Sequence, residues 1–134
     1  MSLNLLGLDH VVLRCDDLKK MADFYCNVIG CSIDRWRDEL GLVHLRAGNT
    51  FIDLADTAKA RARRGGDEPT QVAAPNMDHL CLNVADLDAP AIMAHLTAHG
   101  IKAADPVMRY GATGDRLSIY LTDPEGNAVE LRAA

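Results

Sequence analysis

Two histidines stand at matching points of a repeated motif. Leu8-Asp9-His10-Val11-Val12-Leu13 recurs as Met77-Asp78-His79-Leu80-Cys81-Leu82, and Asp17-Leu18 recurs at the same offset as Asp86-Leu87. Later in each copy, Thr50-Phe51-Ile52-Asp53-Leu54 can be laid on Asn127-Ala128-Val129-Glu130-Leu131, which sets Asp53 against Glu130. A carboxylate in an otherwise apolar run is costly unless it is paired, hydrogen-bonded or bound to a cation. Here one occurs twice, in register across a duplication. Two imidazoles and two carboxylates so related form a mixed nitrogen and oxygen donor set for one divalent metal per site. Zinc, nickel, iron(II), cobalt and manganese suit that set better than calcium or a soft-sulfur metal. Each residue taken alone reads as an ordinary strand side chain; their register carries the metal reading. His10, His79 and Glu130 are the expected ligands, with Asp53 as a fourth.

These four need elements that hold them on common faces. Side chains alternate along a strand, so His10, Val12 and Arg14 share one face of a first strand and His79, Cys81 and Asn83 share the equivalent face of its repeat. Behind the first strand, Asp16 or Asp17 can cap a helix of about 12 residues in which Leu18, Met21, Ala22, Tyr25 and Val28 or Ile29 recur at helical spacing, ending near Gly30. Behind the second, Asp86 or Asp88 caps, Pro90 lies in the first turn, and Ile92, Met93 and Leu96 face inward up to Gly100. Three strand-like runs follow each helix: 32–37, 42–47 and 50–55, then 103–109, 116–122 and 128–132. Gly48-Asn49 and Asp123-Pro124-Glu125-Gly126-Asn127 mark turns. Each half therefore reads βαβββ, and the fold class is α+β with two tandem modules, residues 5–56 and 77–134. The segment 57–76 between them has no aromatic residue, Leu, Ile or Met and carries Gly65-Gly66, Pro69 and Pro75, the composition of a mobile linker. Its Lys59, Arg61, Arg63 and Arg64 read as a solvated charge run before an anion site.

Composition narrows the function classes. A chain of 134 residues is the size of one domain with a real core, and 49% hydrophobic with 25% charged residues is ordinary for a folded protein. Its apolar runs fall far short of the ~20 residues a membrane span needs, and the N-terminus has no basic region followed by a long apolar stretch, so the cytoplasm is the expected location. A net charge of −5 argues against nucleic acid as a partner. Cys15, Cys26, Cys31 and Cys81 form no C-x-x-C pair and read as reduced thiols.

Other candidates remain open at this level. Arg109-Tyr110-Gly111-Ala112-Thr113-Gly114-Asp115-Arg116, with two glycines and two arginines, is either a loop that closes over substrate or a plain hairpin. His95 and His99, spaced i, i+4 on a helix, can bind zinc but lack a third ligand nearby and read as exposed, His99 complementing the helix C-terminus. His44 lies in a middle strand whose register decides whether it faces the site.

The chain resembles the vicinal oxygen chelate superfamily, which includes glyoxalase I, fosfomycin- and bleomycin-resistance proteins, methylmalonyl-CoA epimerase and extradiol dioxygenases. The resemblance rests on Leu8-Asp9-His10, Met77-Asp78-His79, Phe24-Tyr25 with Ile29-Gly30, and Ser118 to Asn127 leading to Glu130, and it covers nearly the whole chain. It implies two modules whose curved sheets form a half-open cup around a metal. The His10, His79 and Glu130 trio is common to several reaction classes, whereas a fourth protein ligand at Asp53 favours Lewis-acid polarisation of a carbonyl. The implied function is a metal-dependent lyase or isomerase of glyoxalase type acting on a small anionic carbonyl or thiol-adduct substrate, in which Asp53 or Glu130 moves a proton alpha to the carbonyl. An extradiol dioxygenase, a fosfomycin-type thiol transferase and a non-catalytic resistance protein are the alternatives. Arg14 matches a glyoxalase arginine that recognises a glutathione carboxylate, though a surface arginine is an equal reading. Tyr120, ten residues before Glu130, matches a substrate-contacting tyrosine, with core packing as the alternative; Arg109 joins them as a substrate contact. Thr57 departs from glyoxalase I, which has asparagine there. The resemblance also implies a homodimer.

Overall fold

The computed structural model describes every residue except Ser2, Arg64 and residues 67–75. The chain divides into two compact units, Met1–Thr70 and Gln71–Ala134, each built on a four-stranded sheet.

In the first unit the strands are β1 (His10–Cys15), β2 (Ser32–Arg37), β3 (Leu42–Ala47) and β4 (Thr50–Asp56). They lie in the order β1-β4-β3-β2. β4 runs parallel to β1 and antiparallel to β3, so it is an inner strand hydrogen-bonded on both sides. Alternation splits the sheet into two faces. Leu13, Cys15, Val43, Leu45, Ile52 and Leu54 are buried on one, which helix α1 (Leu18–Phe24) covers with Met21 and Ala22. Asp17 caps α1 by accepting a hydrogen bond from the Lys20 N–H. The expected 12-residue helix is present as α1 plus a π-helical turn, Tyr25–Ile29, in which the Tyr25 carbonyl accepts from both Gly30 and Cys31. That turn ends on Gly30, whose φ of 99° favours glycine.

The segment expected as a linker begins instead with a helix, α2 (Thr57–Arg63), capped by Asp56, which accepts from the Lys59 N–H. Of its three alanines, Ala58, Ala60 and Ala62, Ala60 is buried. Burial needs only a close approach, and Gly41 permits it: a Cβ there would stand 2.7 Å from Lys59 Cδ and 2.9 Å from Asp56 Cβ. Lys59 Nζ also donates to the Asp38 carbonyl. Tertiary contact thus outweighs a composition poor in large apolar groups. Arg64 and most of the remaining linker lie outside the described residues.

The second unit comprises β5 (His79–Val84), α3 (Ala89–Ala98), β6 (Val107–Gly111), β7 (Gly114–Thr122) and β8 (Ala128–Ala133), with the order β5-β8-β7-β6. It repeats the first topology, β8 being parallel to β5 and antiparallel to β7. Asp88 caps α3 with Pro90 in its first turn, and Leu96 is its buried residue. Residues 103–106, expected in a strand, lie outside β6, because Pro106 offers no N–H to a ladder. The 109–116 segment is a hairpin across β6 and β7.

Two side chains set the register of this sheet. Asp123 is 4% exposed; its Oδ1 accepts from the N–H of Glu125 and of Asn127, and its Oδ2 from the Asn127 amide. This closes the turn and fixes where β8 starts. Arg132, also 4% exposed, donates to the carbonyls of Arg109 and Gly114 beneath the β6–β7 hairpin. Gly111 makes room for it, since a Cβ there would lie 2.7 Å from Arg132 Cζ. Replacing Arg132 with Met keeps much of the stem and leaves both carbonyls without their donor. Urea unfolding is expected to show a loss of about 1–3 kcal/mol, and an unchanged midpoint would mean that the guanidinium does not hold the hairpin.

Candidate functional site

In the second unit, β8 sets Glu130 between Cys81 of β5 and Tyr120 of β7. The carboxylate is 5% exposed, and every neighbour with a proton to give turns toward it. Ser118 Oγ donates to Oε1 at 2.6 Å. His79 Nε2 lies 3.0 Å from Oε2. Tyr120 and Cys81 hydrogen-bond the same carboxylate. Burial alone would raise its pKa; the hydrogen bonds from Ser118, Tyr120 and Cys81, with the His79 charge, outweigh burial and hold it below the usual value. In return Cys81 is pushed up to about 11, by burial first and then by Glu130, so its thiol acts as a donor. The Tyr120 ring meets His79 edge-on at 5.6 Å and lies under the Arg109 guanidinium at 5.9 Å.

The first unit repeats the scaffold with different donors. Asp53 lies between Val12 of β1 and His44 of β3 and is 6% exposed. Its Oδ1 is 2.9 Å from His44 Nδ1. His10 and Phe51 pair at one end of this row and Arg14 and Ala55 at the other, so His10, Asp53, His44 and Arg14 share a face. The register question for His44 is thereby answered: it faces Asp53. Arg14 and Arg109 are both exposed; Arg109 donates to the adjacent Met108 carbonyl.

Both strand-one histidines have the same anchor. Asp9 Oδ1 is 2.6 Å from His10 Nδ1, and Asp78 Oδ2 is 2.6 Å from His79 Nδ1. These aspartates are exposed, so the contacts orient rather than stabilise. Hydrogen bonding to Asp9 raises the pKa of His10 and hydrogen bonding to Asp78 raises that of His79, burial opposing in both cases. In the neutral imidazole, an Nδ1–H held by a carboxylate leaves the Nε2 lone pair to face outward, the arrangement that orients a metal-binding histidine; His79 Nε2, 3.0 Å from Glu130, donates there only while it carries a proton, which a metal would replace. Such imidazoles beside buried carboxylates fit a divalent ion. Within either unit, however, no three His, Cys, Asp or Glu side chains gather as a ligand group among the described residues.

Ser118, Cys81 and the orienting role of Asp9 and Asp78 escaped sequence reasoning. Ser118 had a signal, since it precedes Tyr120 by two residues and so shares its face. The i, i+4 pair on α3 is a helix end: both rings are exposed, and His99 Nδ1 lies 2.9 Å from the His95 carbonyl. None of the four cysteines forms a disulfide. No helix among the described residues is long and apolar enough to cross a membrane.

Residues 7–131 match the family model described as Glyoxalase/Bleomycin resistance protein/Dioxygenase superfamily. The chain belongs to that superfamily. Glyoxalase domain-containing protein RDO1 of Mycosarcoma maydis is 35% identical over 130 residues, covering 96% of this chain and 69% of the relative. Human mitochondrial methylmalonyl-CoA epimerase is 28% identical over 141 residues, covering 98% and 76%. Among solved structures, an integron cassette protein of V. cholerae aligns with a TM-score of 0.74 at 26% identity, covering 99% of this chain and 98% of that one. Within this superfamily fold, β4 and β8 each carry a buried carboxylate opposite a ring donor, His44 for Asp53 and Tyr120 for Glu130.

The Glu130 network has a pH signature. Because its folded pKa lies below its ordinary value of 4.5, the network's stabilisation is complete above pH 4.5 and is lost as pH falls through the folded pKa. Ser118→Ala in chelator-treated protein is expected to cost about 1.5–3 kcal/mol near pH 7, as for a hydrogen bond to a charged group, and progressively less as pH falls below 4.5 through the folded pKa. Chemical unfolding at several pH values tests this, and a pH-independent loss would show that Ser118 serves packing instead.

Proposed function

We propose that this protein is a divalent-metal-dependent lyase or isomerase of glyoxalase type, acting on a small anionic carbonyl or thiol-adduct substrate. In this reading His10, His79, Glu130 and Asp53 hold one ion, of zinc, nickel, iron(II), cobalt or manganese. The observation that carries it is the doubled arrangement of an Asp-anchored histidine on the strand next to a buried carboxylate, present in both units. An accidental ion pair has no reason to recur at equivalent positions of a duplication. The 28% identity to a protein named as an epimerase supports an isomerase or a related proton-transfer reaction. A homodimer and a cytoplasmic location belong to the same proposal.

When bound, the ion supplies Lewis-acid polarisation of a substrate carbonyl. The chain's own residues divide the remaining work. Glu130, saturated with donors, stays an anion. Asp53 receives one hydrogen bond from the described residues and is the better placed to move a proton alpha to the carbonyl. Arg14 and Arg109 supply charge for an anionic group, and the Tyr120 phenol supplies a hydrogen bond to a substrate oxygen.

Elemental analysis of protein purified without added metal should find one divalent ion per site. His10→Ala and His79→Ala should each abolish binding with the fold retained by far-UV circular dichroism, since both imidazoles lie outside the apolar cores. Asp53→Ala should keep metal, bound about 10- to 100-fold more weakly, while turnover of the best substrate in a panel of thiohemiacetals and α-substituted thioesters falls by about 10²–10⁴. Stoichiometric metal in both histidine variants would defeat the proposal.

A further inference from the structure

The proposed mechanism leaves one buried polar contact without a role, the pair formed by His44 and Asp53. We propose that His44 is a positioning residue: it holds Oδ1 of Asp53 so that Oδ2 is presented to the metal. The proposal rests on the metal reading above and goes beyond it in assigning how the shorter carboxylate is made a ligand.

Four observations carry it. The contact is direct, with His44 Nδ1 2.9 Å from Asp53 Oδ1 and both side chains largely out of solvent, at 21% and 8% exposure. An ionised carboxylate only accepts, so Nδ1–H is the donor, and the contact fixes both the tautomer and the ring orientation. The imidazole is itself held: its ring packs on Phe51 at 5.9 Å between centroids, and the Arg46 guanidinium covers the Phe51 ring at 4.4 Å. Arg46 is tied in turn to Asp34. Finally, the second unit shows the division of labour that the first would copy. There, Ser118 of β7 anchors Oε1 of Glu130 while Oε2 faces the imidazole of His79. In β3 the place of Ser118 is taken by Leu42, which pairs with Ala55 as Ser118 pairs with Arg132. Leucine offers no hydroxyl, and His44, at the place of Tyr120, supplies the anchor instead.

Cobalt(II) alone is the probe, followed by its visible absorption and by titration against a competing chelator. In the wild type we expect one tight site. His44→Ala should keep a stoichiometry of one and weaken binding by about 10- to 100-fold, the range for losing a group that orients a ligand. His44→Asn, whose amide nitrogen lies near the place of Nδ1, should recover most of the affinity, a rescue that simple loss of packing would not give. Asp53→Ala should weaken binding to the same extent as His44→Ala and show the same cobalt spectrum, and the double variant should be no worse than either single one. Should His44→Ala fail to fold, His44→Phe keeps a ring against Phe51 and removes only the donor. Unaltered affinity in the His44 variants would overturn the positioning role while the metal reading stands. Losses that add in the double variant would also overturn it, because His44 would then act independently of Asp53. A wild type that binds no cobalt would remove the metal reading and this inference with it.

Discussion

A carboxylate buried on an inner strand is the constraint around which each unit is arranged. Asp53 and Glu130 are 6% and 5% exposed, and an ionised group so placed must be surrounded by donors or by a cation, because otherwise desolvation costs several kcal/mol or more. The inner position answers part of that demand. With a parallel strand on one side and an antiparallel strand on the other, two neighbouring strands can each aim a side chain at the carboxylate. An edge strand would supply one. Chain order β1-β4-β3-β2 in the first unit and β5-β8-β7-β6 in the second is therefore more than a packing solution: it brings the first and third strands of each module to bear on the fourth.

The duplication made most of this legible in the chain itself. Period-2 alternation, the aspartate caps and the turn at 123–127 were enough for the two βαβββ modules, because strand and helix patterns are local and each appears twice. Equivalence of His10 with His79 and of Asp53 with Glu130 followed from the same repeat. The features that stayed hidden depend on contacts across strands or on close approach. His44 could be assigned a face only through its pairing with Asp53. Helix α2 gave little apolar signal, since it is held by one buried alanine, an aspartate cap and the space left at Gly41. Residues 103–106 have strand-like neighbours, yet the ladder begins only after Pro106. Arg132 looked like the polar end of a strand and is instead a buried clamp on two carbonyls.

Similarity to the superfamily adds the fold and the family but leaves the chemistry to the side chains. A buried carboxylate, a strand-one histidine and an aspartate before it are shared by both units, and these are the parts that suit a metal. What the units do not share lies one strand away. Cys81, Ser118 and Tyr120 surround Glu130, whereas Val12, Leu42 and His44 occupy the same places around Asp53.

That difference has a direct chemical meaning. Four donors on Glu130 stabilise its anion and fix both oxygens, which suits a group that keeps its charge and does not move. Among the described residues a single donor, His44, reaches Asp53 and leaves one oxygen without a hydrogen bond, and the valine and leucine beside it offer no proton to fill that place. A carboxylate in that condition can take a ligand or a proton on its free oxygen at little rearrangement of its surroundings. Two modules that share one backbone thus present one saturated and one unsaturated carboxylate, and the asymmetry comes from three side-chain positions on the flanking strands rather than from any change in topology.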